Sequence, residues 1–84
     1  MQAVVYWIAT TESEIHYIDG VISAFDGVAT VRREFRVKDG QTQYRVFVGP
    51  GMEAEFLEIM DRLRQTAKID AVIREEDDAL PPTL

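Results

Sequence analysis

The chain has 84 residues, 46% of them hydrophobic, and nine Lys plus Arg against fifteen Asp plus Glu give a formal charge of −6. That length suits one domain with a modest core, and the apolar content argues against a disordered chain. The absence of cysteine excludes disulfides, thiolate nucleophiles and cysteine metal sites, and the acidic balance disfavours nonspecific attraction to nucleic acid or anionic lipid.

No apolar run approaches the roughly 20 residues needed to span a bilayer. The start, "MQAVVYWIATTESE", lacks the basic opening of an export signal. No membrane association is therefore expected, and the cytoplasm is the expected compartment.

Val4 to Ala9 is a short run of β-branched, aromatic and other apolar residues, suited to a central strand. Ile15, Ile18, Val21, Ile22 and Phe25 then recur at spacings of three and four, which predicts an amphipathic helix. Thr11 is placed to cap it, with Glu14 at the capping-box position, and Asp26–Gly27 is a plausible stop. From Val28 the rhythm becomes two-residue. Ala29, Val31, Phe35 and Val37 share one face, and Thr30, Arg32, Glu34, Arg36 and Lys38 share the other.

Asp39–Gly40 is the strongest hairpin signal in the chain, because both residues tolerate the positive φ of a type I′ turn. A two-residue loop there sets Lys38 opposite Gln41, Phe35 opposite Tyr44 and Glu34 opposite Arg45. Tyr44, Val46 and Val48 then join the apolar face, while Gln43, Arg45 and Phe47 join the charged one. All nine basic residues lie at or beyond Arg32, and five of them fall between Arg32 and Arg45. One hairpin is thus locally basic in an acidic chain.

"GPG" at Gly49 to Gly51 ends the hairpin. Met52, Phe56, Ile59, Met60, Leu63 and Ala67 form a second helical stripe. A fourth strand is expected from Ile69 to Glu75, with Ile69, Ala71 and Ile73 inward. The domain is drawn as 1–76, followed by an acidic, proline-containing flexible tail over 77–84.

The order β-α-β-β-α-β resembles the ferredoxin-like superfold, an α+β sandwich with a four-stranded antiparallel sheet and two helices on one face. In element order the chain is also similar to ACT domains. That resemblance implies a small-ligand sensor at a subunit interface; in this chain the ends at Ala9–Glu12 or Gly49–Gly51 are the places considered for such a ligand.

Catalytic patterns are weak. His16 is the sole histidine, so a multi-histidine metal centre is impossible, and Ser13, three residues earlier, lacks an identifiable orienting carboxylate. The acidic pairs sit on faces read as solvated, and neither a calcium-loop nor a phosphate-loop spacing occurs. No catalytic, cofactor or metal residues are assigned.

Two helices on one side of a sheet leave the other side free. With Val4, Tyr6 and Ile8 inward, the free side receives Val5, Trp7, Arg32, Arg36, Arg45, Phe47 and Val72. Aromatic and arginine residues of this kind are those that dominate interfaces. The expected function is a noncatalytic interaction or regulatory module that forms a homodimer or other homo-oligomer through the open face. The alternatives are single-stranded nucleic acid stacked on Trp7 and Phe47, or the small-ligand sensor implied by the resemblance to ACT domains.

Overall fold

The computed structural model describes residues 4–78. Val4–Ala9 forms β1, Glu12–Ser23 α1, Ala29–Lys38 β2, Gln41–Val48 β3, Glu53–Leu63 α2, Ala71–Arg74 β4 and Glu75–Asp78 a short α3. The strands make one antiparallel sheet in the order β2-β3-β1-β4, the ferredoxin-like arrangement. No helix among the described residues is long and apolar enough to cross a membrane.

Period-3.6 stripes on both helices meet the same side of the sheet. Ile15, Ile18 and Ile22 of α1 and Phe56, Ile59, Met60 and Leu63 of α2 are buried. They form one cluster with Tyr6, Ile8, Val46 and Val48. Each large side chain enclosed there contributes roughly 1.5–3 kcal/mol. The inward placement of Val4, Tyr6 and Ile8 agrees with the sequence reading.

The cap of α1 is half of the expected box. Thr11 Oγ accepts from the Glu14 amide at 3.4 Å, but the Glu14 carboxylate accepts instead from the Lys68 amide at 2.9 Å. Thr10 Oγ donates to the Lys68 carbonyl at 2.5 Å. Thr10, just before the cap, and Glu14 of the first turn thereby hold the loop that leads into β4.

The hairpin turns at Asp39 (φ 53°) and Gly40 (φ 76°), and Lys38 opposes Gln41 and Phe35 opposes Tyr44 as the sequence indicates. Beyond that the register shifts: residues 32–34 stand against residue 45 alone, so Val31 meets Val46. Two extra residues keep the face alternation in phase, because the side-chain period is two.

Val72 requires a correction. It pairs with Ile8 and packs against the core on the helix side, so it is not on the open face. Ala71 and Ile73, opposite Ala9 and Trp7, occupy that face instead. The reason is local. Ile69 is buried before the strand begins, and an alternation counted from it reaches β4 in the wrong phase.

The boundary drawn after residue 76 falls inside α3. Residues 79–84 of the expected tail lie outside the described residues.

Gly49 joins β3 to the loop before α2. Its amide donates to the Val28 carbonyl at 2.8 Å, and a Cβ there would lie 2.6 Å from the Gly27 carbonyl oxygen. Gly20, within α1, has nothing within 4 Å of an added Cβ. Urea unfolding therefore separates the two glycines: Gly49→Ala destabilises by about 1–3 kcal/mol through backbone overlap, and Gly20→Ala stabilises by roughly 0.5–1 kcal/mol.

Candidate functional site on the open sheet face

Alternation along β1 and β3 sends Val5, Trp7, Gln43, Arg45 and Phe47 to the side opposite the helices. Trp7 faces Arg45 on one neighbour and Ile73 on the other. Arg36 enters from β2, opposite Gln43. The face is thus assembled from all four strands.

Its side chains form an alternating stack. The Arg36 guanidinium lies 4.1 Å from the Trp7 ring centroid. That of Arg45 sits 5.9 Å from Trp7 and 5.0 Å from Phe47, and Arg32 caps the other end at 5.2 Å from Phe47. Contacts of this kind contribute about 0.5–1 kcal/mol at exposed sites and more when desolvated. Arg36 Nε also donates to Gln43 Oε1 at 2.7 Å, which satisfies a glutamine only 3% exposed. Arg45 Nη1 and Arg32 Nε both reach Glu34, at 3.1 and 3.3 Å. Arg45 Nε is buried without a hydrogen-bond partner among the described residues.

Five of the seven residues assigned to the interface from sequence, Trp7, Arg32, Arg36, Arg45 and Phe47, meet in this stack, and Val5 lies beside it. Trp7, however, is not an exposed anchor. It is 9% exposed, with Arg36 over its ring and its indole N–H donating to Glu75 Oε1 of α3 at 3.1 Å. Val5, Phe47, Ala71 and Ile73 are half-buried and form the accessible apolar part of the face. The rings already carry guanidinium groups, so a nucleobase stacking on Trp7 or Phe47 has to displace arginine.

A second cluster, on the helix side, was not foreseen from sequence. The Tyr6 hydroxyl donates to Glu53 Oε2, Arg74 Nε donates to the same oxygen at 2.9 Å, and Arg74 Nη1 pairs with Glu76 at 2.6 Å. Burial and the Glu53 carboxylate push the Tyr6 phenol up to about 12. The hydrogen bonds from Tyr6 and then Arg74 hold Glu53 below the usual carboxylate range. Glu76, with Glu53, raises Arg74 further. Glu53 looks in sequence like an ordinary first-turn acid complementing the helix dipole. Its partners are 47 and 21 residues away, and no spacing announces them.

His16 is exposed and lines a groove of about 310 Å³ between α1 and the β2–β3 hairpin, together with Glu12, Asp19, Arg33, Phe35 and Tyr44. Ser13 is not its partner: Ser13 Oγ lies 3.3 Å from Thr11 Oγ. Among the described residues no group of three or more His, Asp or Glu side chains is arranged to hold a metal ion.

The two loops considered for a small ligand are at opposite ends of the sheet. Ala9 pairs with Gln43 while Val4 pairs with Val48, so Ala9–Glu12 lies near the hairpin turn and Gly49–Gly51 lies at the far end. One chain therefore cannot bring both loops to one pocket. In the second loop the amides of Gly49 and Met52 are already committed to Val28 and Gly49 carbonyls.

Comparison with protein-family models, with curated proteins and with solved structures finds no match.

The Tyr6 phenol titrates higher in the folded chain than the ordinary value of 10. The protonated form is thus favoured by folding, and that stabilisation is present below pH 10 and lost as pH rises through about 12. Chemical unfolding of wild type and Tyr6→Phe from pH 9 to 12 checks this. The stability advantage of wild type is expected to shrink over the upper part of that range.

Proposed function

We propose that this protein is a noncatalytic interaction module that self-associates through its open sheet face. The observation that carries the reading is the half-buried apolar strip of Val5, Phe47 and Ile73 beside the arginine–aromatic stack, where neither α1 nor α2 reaches. Apolar area of this kind next to ordered arginines resembles the centre of a protein interface more than a solvated sheet.

Isologous packing of two such faces brings arginines from both copies together. Glu34 and Glu75, which contact Arg45 and Trp7 on this face, offset that repulsion. Trp7 acts from beneath, holding Arg36 and Arg45 in place. Val5, Phe47 and Ile73 make the contact, framed by Arg32 and Arg45. The element order, similar to that of ACT domains, supports a regulatory use, and the lack of cysteine fits a reducing compartment such as the cytoplasm.

Sedimentation velocity over a dilution series tests the reading. Wild type is expected to exceed the 9.6 kDa chain mass at high concentration. Phe47→Glu is expected to weaken that association at least about 30-fold, the effect of losing one interface hot spot, with an unchanged far-ultraviolet circular dichroism spectrum. An unaltered association for Phe47→Glu would refute the open-face assignment.

A further inference from the structure

The most exposed large hydrophobic residues lie neither on the open face nor on the helices. They are Phe35, 62% exposed, and Val37, 67% exposed, on β2. This strand is at the edge of the sheet. Both belong to its helix side, opposite Tyr44 and Thr42, but the hairpin runs out past the cover of α1.

Backbone polarity singles out the same two residues. In a two-residue hairpin the positions flanking the turn exchange hydrogen bonds, and alternate pairs do so along the ladder. Lys38–Gln41 and Arg36–Gln43 are therefore the bonded pairs, and the N–H and C=O of Phe35 and Val37 point away from β3. The Thr42 carbonyl confirms the phase: it accepts from the Thr10 amide on the β1 side at 3.2 Å, not from Val37. One short stretch thus combines two exposed apolar side chains with a row of two donors and two acceptors that no strand among the described residues pairs.

We infer that this stretch pairs antiparallel with the same stretch of a second copy, about a two-fold axis at Arg36. That register sets Phe35 of each copy opposite Val37 of the other. All four of these backbone groups in each chain are then used, and the apolar side chains cover one another across the axis. The next positions outward are Lys38 and Glu34, which carry opposite charge, with Glu34 held by Arg45 and Arg32 of its own chain. Arg36 meets its own equivalent, but its guanidinium is drawn inward over Trp7 and onto Gln43, so the two cations do not face each other.

The irregularity at residues 32–34 ends the ladder on one side, and the Asp39–Gly40 turn ends it on the other. Edge strands are commonly blunted by bulges and charges. Here those devices stand at either end of a segment they leave unblocked. The resulting sheet has eight strands, with both open faces on the same side, so this interface goes beyond the open-face contact and is compatible with it.

Amide hydrogen exchange of the intact chain at low and high protein concentration reads the edge directly. Protection of the Phe35 and Val37 amides is expected to rise with concentration in wild type and in Phe47→Glu alike. Val37→Pro, which removes an outward N–H from an edge position, is expected to weaken this association at least about 30-fold by losing two symmetry-related hydrogen bonds and their apolar contact. Val37→Lys, which keeps the amide and removes the apolar match, provides a second test and is also expected to weaken it. Concentration-independent exchange at both amides would overturn the inference, as would an unchanged dimer in both Val37 variants. Loss of association in Phe47→Glu with those amides never protected would instead leave the open face as the contact and eliminate the edge.

Discussion

The structure turns on a central strand that is apolar on both sides. β1 lies between β3 and β4 and sends Tyr6 and Ile8 one way, Val5 and Trp7 the other. Two helices cover only one side of a four-stranded sheet. The other side is finished by side chains: Arg36 and Arg45 lie against Trp7, Arg32 and Arg45 lie against Phe47, and Glu75 takes the indole N–H. Arginine suits this task because its planar cation stacks on a ring while its stem covers apolar surface. Three of the five cations of the locally basic hairpin, Arg32, Arg36 and Arg45, lie on the chain's own aromatics.

Much of this architecture was legible in the sequence. The three-four spacing of Ile15, Ile18 and Ile22, the Asp39–Gly40 turn, and the alternation through Tyr44, Val46 and Val48 are local signals, and they specified both helices and the hairpin register near the turn; β1, apolar on both sides, carries no such signal for its inward face. What escaped was set by tertiary context. Ile69 enters the core from a loop, so the phase of β4 could not be counted from it. The shift at residues 32–34 preserves alternation and so leaves no trace in the hydrophobic pattern. Phe35 and Val37 obey the inward rhythm, yet both remain exposed.

The candidate site divides in the same way. Face assignment by period two brought Trp7, Arg32, Arg36, Arg45 and Phe47 together correctly. It could not tell that Arg36 reaches across β3 to Trp7, or that α3 folds back far enough to place Glu75 on the indole. Side-chain length and the path of the chain after β4 decide those contacts. The Tyr6–Glu53–Arg74 cluster is a further case, since it joins β1, the start of α2 and the end of β4. It ties the helix layer to the strand that leads into α3, so the two coverings of β1 are mechanically connected through Arg74 and Glu76.

The chain contains a single tryptophan, and that residue sits where a guanidinium, a carboxylate and three strands converge. Its intrinsic emission is consequently a label-free optical gauge of one event, the seating of Glu75 and Arg36 on the indole. A shift of that emission toward longer wavelength marks water reaching the ring, and it does so without any dye or tag.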